Sequence, residues 1–149
     1  MIKEKYLGTY MKTARLFAEH SSAIRKKVGA VIVKDDRIIS IGYNGMPSGW
    51  DNTCEDVVTP TLPYMSGDGP TLKTKPEVLH AESNAIAKLA KSTESGDGAS
   101  MFITCAPCVE CAKMIYQSGI KEVFYGEEYR NNDGIEFLNK CGLSVKQLS

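Results

Sequence analysis

Two short stretches carry the residues best able to do chemistry. One is His80-Ala81-Glu82; the other, twenty-five residues beyond Glu82, is Pro107-Cys108-Val109-Glu110-Cys111. Cys108 and Cys111 stand three apart. At the start of a helix that spacing lets both sulfurs converge on one ion. A helix N-terminus has partial positive charge and free N–H groups, which favour thiolates. His80, at the start of another helix, can add a nitrogen. Two sulfurs and one nitrogen suit zinc. Three protein ligands leave a fourth position open, the pattern of a catalytic zinc. A water there has its pKa lowered to about 7 and is a nucleophile at neutral pH. Glu82 is placed to stand beside that water without ligating the metal. It can take the proton, pass it to a ring nitrogen and later protonate a leaving amine.

Other readings of the same residues stay open. Cys108 and Cys111 could be a redox pair, and Cys105 and Cys108 repeat the same spacing. Cys105 could also close the zinc site as a fourth ligand. The chain would then be a non-catalytic, zinc-stabilised nucleotide-binding module, with Glu82 an ordinary surface residue. Otherwise Cys105 is a small buried hydrophobe. Cys54 and Cys141 read as inert. His20 falls near a helix end, where it can meet the last carbonyls.

The elements that must position these groups follow from periodicity. Tyr6, Leu7, Tyr10, Met11, Ala14, Phe17 and Ala18 predict a helix near 4–20. Val28–Val33 and Ile38–Tyr43 predict a hairpin turning at Asp35-Asp36. Helices follow near 78–92, from Pro107 to Ser118 with Gly119 as its cap, and near 133–140. Strands are expected at Met101–Ile103, Glu122–Tyr125 and Leu143–Val145. This alternation implies a central sheet covered by helices. The expectation is α/β, a three-layer α-β-α sandwich with a mixed five-stranded sheet, residues 1–149 forming one domain. Residues 44–76 hold five of the six prolines and show no periodicity. They read as a functional or interface loop, too long to be an idle connection.

Composition narrows the partners. Eighteen basic residues balance eighteen acidic ones. A protein that follows a nucleic-acid backbone usually has a basic surplus, so a polymer partner is disfavoured. No apolar run approaches the roughly 20 residues that span a bilayer, and no signal peptide opens the chain. The expectation is a cytoplasmic protein without a membrane partner. One phosphate needs only a few cations, and Arg25-Lys26-Lys27 is the best placed group. Arg25 leads, with Arg130 a weaker candidate. Tyr129, just past a strand end, is placed to pack on a pyrimidine face, more so than Tyr125.

The paired motifs form the zinc-deaminase signature, H-x-E followed by P-C-x-x-C. At these residues the chain resembles the cytidine/deoxycytidylate deaminase superfamily, and the likeness runs over nearly its whole length. His80–Ala85 is similar to the first motif helix, and Thr104–Lys113 with Ser118-Gly119-Ile120 to the zinc helix. Arg25–Val33 and Gly42–Gly49 are similar to signature stretches of the deoxycytidylate branch. The resemblance implies one catalytic Zn2+ and hydrolytic deamination of dCMP to dUMP and ammonia, supplying dUMP for thymidylate synthesis. Zinc hydroxide would attack C4 while Glu82 protonates N3 and then the amine. Asn44 would contact the sugar, and backbone groups at Ala81 would fix the base. The resemblance further implies a homo-hexamer activated by dCTP with Mg2+ and inhibited by dTTP. The effector site would involve Gly42, Gly45, Met46 and Gly49. Cytidine, guanine or tRNA adenosine are the alternative substrates of the same chemistry.

Overall fold

Val31 and Val33 point to one face of their strand and Ala30 and Ile32 to the other, and all four are buried. A strand buried on both faces must lie inside a sheet with helices on each side. The computed structural model, which describes residues 2–58 and 71–148, has that arrangement. Strands β1 (Gly29–Lys34) and β2 (Arg37–Tyr43) pair antiparallel. Asp35 and Asp36 turn between them with φ of 52° and 59°. Positive φ at both central residues matches the right-handed twist of the strands, and aspartate tolerates it.

The hairpin joins β5 (Ser100–Cys105), β6 (Glu122–Glu127) and β7 (Ser144–Gln147), giving a five-stranded sheet in the order β2-β1-β5-β6-β7. β1 runs antiparallel to β5, whereas β5, β6 and β7 are parallel, so the sheet is mixed as expected. Helix α1 (Glu4–Ala18) covers one face, where Met11 and Ala14 pack with Val31, Val33, Phe102 and Phe124. Helices α2 (Ala81–Ala90), α3 (Val109–Gln117) and α4 (Asp133–Lys140) cover the other. There Ala85, Ala112, Ile115 and Leu138 meet Ile32, Met101, Ile103 and Val123.

Two departures from the sequence reading concern the site. The 44–76 stretch contains a second sheet, β3 (Glu55–Val58) antiparallel to β4 (Thr71–Thr74), while residues 59–70 lie outside the described residues. Each strand has four residues, too few for alternation to register against the prolines around them. Second, α2 and α3 start later than expected. His80 and Cys108 are their caps, with extended backbone, and Pro107 precedes the cap instead of opening the helix. Leu79 is held instead in a β-bridge with Gly45. Among the described residues, no helix is long and apolar enough to cross a membrane.

Candidate active site

α2 reaches its position because β2 lets it come close. A Cβ on Gly42 would lie 2.3 Å from the Ala81 carbonyl oxygen and 2.7 Å from the Ala85 nitrogen. Ser40 Oγ donates to the Ala85 carbonyl at 2.6 Å, and Lys88 Nζ donates to the Ile41 carbonyl at 2.7 Å. These contacts fix the helix whose cap is His80. The cap of α3, Cys108, follows the last residue of β5, Cys105, by three residues, so it meets His80 beyond the carboxyl end of that strand.

His80 Nδ1 lies 3.3 Å from Cys111 Sγ and 3.7 Å from Cys108 Sγ. All three donor atoms fall within 4.8 Å of one another. Tetrahedral zinc, with its usual bonds to sulfur and nitrogen, sets such S···N edges at about 3.5 Å. The three residues therefore fit one zinc ion. Cys105 is not in the group: its thiol faces the Glu128 carbonyl at 3.9 Å and is buried. Among the described residues, the donor set has three members and not four, which is the open form. Within the group, Cys108 gives up its proton most readily. The Cys111 thiol and the His80 ring donate toward Cys108 and hold its thiol at about 3, against the opposing effect of burial. Cys111 is displaced upward because its proton is shared with Cys108 and because it is buried.

Glu82 follows in the first turn of α2 and is only 5% exposed. Burial is the main influence on its carboxyl, which it pushes up to about 7. His80, Cys108, Ala81 and Glu82 line a cleft of about 650 Å³. Of the other residues expected at the site, Asn44, Arg25 and Tyr129 also line it. Asn44 is held by the main chain: its Oδ1 accepts from the Val28 N–H at 2.8 Å and its Nδ2 donates to the Lys26 carbonyl at 2.9 Å. Arg25 Nη1 donates to Thr74 Oγ1 at 3.3 Å. Lys26 pairs with Glu127 at 2.8 Å. The Arg130 guanidinium stands 5.3 Å from the centre of the Tyr129 ring.

The four residues of the expected effector stretch have different surroundings. Gly42 is buried under α2, and Met46 packs on Ala23, Cys54 and Val78. Gly45 exchanges backbone hydrogen bonds with Leu79, and Gly49 is exposed with a φ of 88°. Thr74, Val78 and Glu128 also line the cleft and carried no sequence signal, since none belongs to a motif.

One neighbour of the metal group comes from α4. A Cβ on Gly134 would lie 2.1 Å from the Pro107 carbonyl oxygen and 3.0 Å from the Cys108 carbonyl carbon. Gly134→Ala must therefore shift the peptide that carries a candidate ligand. Losing a partner that orients a metal ligand costs about 10–100-fold in affinity. A loss of that size is expected for zinc, measured by competition with a colorimetric chelator. Unchanged affinity would show that α4 yields instead of Cys108.

The family model for the cytidine and deoxycytidylate deaminase zinc-binding region matches residues 5–127. The chain belongs to that family. The deoxycytidylate deaminase of Homo sapiens is 43% identical over 127 residues, covering 83% of this chain and 66% of that one. The deoxycytidylate deaminase of Saccharomyces cerevisiae is 36% identical over 150 residues, and this chain spans only 46% of its length. Among solved structures, the dCMP deaminase of cyanophage S-TIM5, in complex with dCMP and dUMP, is 45% identical with a TM-score of 0.86, covering 99% of this chain and all of that one.

Proposed function

We propose that the chain hydrolyses dCMP to dUMP and ammonia. The observation that carries this reading is a single cleft lined by His80 and Cys108 of the three-donor metal group, by buried Glu82 and by Arg25. The names of the similar proteins and the nucleotides of the S-TIM5 complex support it. Zinc bound by His80, Cys108 and Cys111 would supply the Lewis acid that makes water nucleophilic at neutral pH. Glu82 takes a proton from the attacking water, gives it to ring N3, and later protonates the amine that leaves C4 as ammonia. Its burial excludes bulk water from that transfer. Backbone groups at Ala81 hold the base edge, and Tyr129 packs on the pyrimidine face. Asn44 orients the sugar and Arg25 binds the phosphate. A site that pairs each polar edge of its substrate rejects bases that leave those groups unpaired.

The fuller reading adds a cytoplasmic homo-hexamer that supplies dUMP for thymidylate synthesis. It is activated by dCTP with Mg2+ and inhibited by dTTP, with effector contacts along Gly42, Gly45, Met46 and Gly49. Residues 1–149 act as one domain, with 44–76 as its functional segment. The test is ammonia release and ultraviolet loss on purified protein with dCMP, deoxycytidine and cytidine, each with and without dCTP plus Mg2+. Turnover confined to dCMP and raised by dCTP is expected. Equal turnover of the nucleosides would move the substrate to another branch of the family. Zinc binding with no turnover at all would make the chain a nucleotide-binding module.

A further inference from the structure

Residues 24–26 reach the cleft without belonging to a helix or strand, yet they bring Arg25 and Lys26 to its wall. The Ile24 side chain does not anchor this segment, being 74% exposed. Packed Ala23 flanks it on one side and Asn44 holds the Lys26 carbonyl on the other, while polar contacts from the small sheet hold residues 24 and 25. Glu55, the first residue of β3, is 5% exposed, whereas the other three residues of that strand are exposed. Both of its carboxylate oxygens accept from the Ile24 N–H, at 2.8 and 3.0 Å. Among the described residues, Glu55 has no basic ion-pair partner. A carboxylate buried against an amide makes a strong charge-assisted bond, and it is costly to keep where it does no such work. Glu55 is also the cross-strand partner of Thr74. Thr74 Oγ1 in turn accepts from Arg25 Nη1 at 3.3 Å. Paired positions of one hairpin thus grip two consecutive residues, one by its main chain and the next by its guanidinium.

We propose that Glu55 is a positioning residue for the substrate phosphate, fixing through Ile24 the backbone from which Arg25 reaches the cleft. The proposal rests on the reading of Arg25 as the phosphate contact. Glu55 itself touches no substrate; Thr74 completes the hold from the opposite strand.

Steady-state kinetics with dCMP on the zinc-loaded protein test it, with dUMP and deoxyuridine as competing ligands that differ only in the phosphate. Arg25→Ala should raise KM for dCMP by about tenfold to a hundredfold, the loss of one charged hydrogen bond. Glu55→Ala should raise it about tenfold with kcat unchanged. It should weaken dUMP in parallel and leave deoxyuridine alone. Glu55→Gln keeps an acceptor for the Ile24 N–H and should restore most of the loss. Arg25→Ala with Glu55→Ala should be no worse than Arg25→Ala alone, because the two act through one contact. If Glu55→Ala leaves KM unchanged, or adds its full effect to Arg25→Ala, the proposal fails while Arg25 keeps its role. If Arg25→Ala changes nothing, the phosphate reading itself fails. Should Glu55→Ala not fold, Thr74→Val carries the test. A rise of about threefold for dCMP and dUMP alone is expected, and no rise would overturn the role of the hairpin.

Discussion

Glu82→Gln should lower kcat by about 10²–10⁴-fold while the protein keeps its zinc, the range a positioned general acid–base group contributes. Glutamine has nearly the same shape and keeps a carbonyl acceptor, but it cannot take or return a proton. The residue is buried at the start of α2, so its role does not depend on a mobile side chain finding the substrate. Neither does the metal group depend on it: the three donor atoms gather without a carboxylate. Zinc content and KM for dCMP should therefore stay near those of the unmodified protein. Folding should not suffer, because exchanging a buried carboxyl for a neutral amide removes a charge that burial disfavours. The decisive measurement pairs single-turnover kinetics with metal analysis on the same sample. Turnover within about tenfold of the parent would remove Glu82 from proton transfer. Loss of zinc together with turnover would make it a structural support of the metal group.

The metal group could be read before the fold because its chemistry is local. Cysteines three apart at a helix start have few other uses, and His-x-Glu repeats the device on a second helix. The main sheet was legible for a related reason: Val28–Val33 and Ile38–Tyr43 are β-branched runs around a two-residue turn, so the hydrophobic pattern and the turn chemistry agree. What the sequence hid depends on pairing at a distance. β3 and β4 are four residues each, with a proline-rich stretch between them in the chain. Glu55, followed by Asp56 in a polar segment, has the pattern of a solvated charge; only the fold buries it. Gly42 carries a resemblance to an effector stretch, yet its missing side chain is what lets α2 approach. The sequence offered Asn44 either as an Asn-Gly turn or as a sugar contact. In the structure its side chain also ties down the backbone at Lys26 and Val28, which no motif announces. The candidate donor residues and Glu82 left a mark in the sequence, whereas the buried Glu55 and the side-chain contacts of Asn44 did not.

The second large effect concerns the ligands. Cys108→Ser and Cys111→Ser should each strip the protein of stoichiometric zinc after dialysis against a chelator, with turnover falling below detection. A serine hydroxyl is a poor zinc donor at neutral pH, whereas thiolate and imidazole suit the ion. The loss should exceed the 10–100-fold that accompanies removal of an outer partner, because a bond to the metal itself is gone. The two variants should differ in stability. Cys111 is 1% exposed and packs in the core at the start of α3, whereas Cys108 is part-exposed at its cap. Serine at 111 buries a hydroxyl among groups arranged for sulfur; serine at 108 can still meet water. Cys108→Ser is therefore the cleaner probe of metal binding. Its melting curve should match that of the chelator-treated parent. A ligand present at about 1,000 times its Kd stabilises the folded state by about 4 kcal/mol, so both should melt lower than the zinc-loaded protein. Full zinc in Cys108→Ser, by elemental analysis, would contradict the three-residue donor set. Zinc lost from Cys108→Ser but not from a Cys105→Ser control would confirm that Cys105, turned toward Glu128, takes no part.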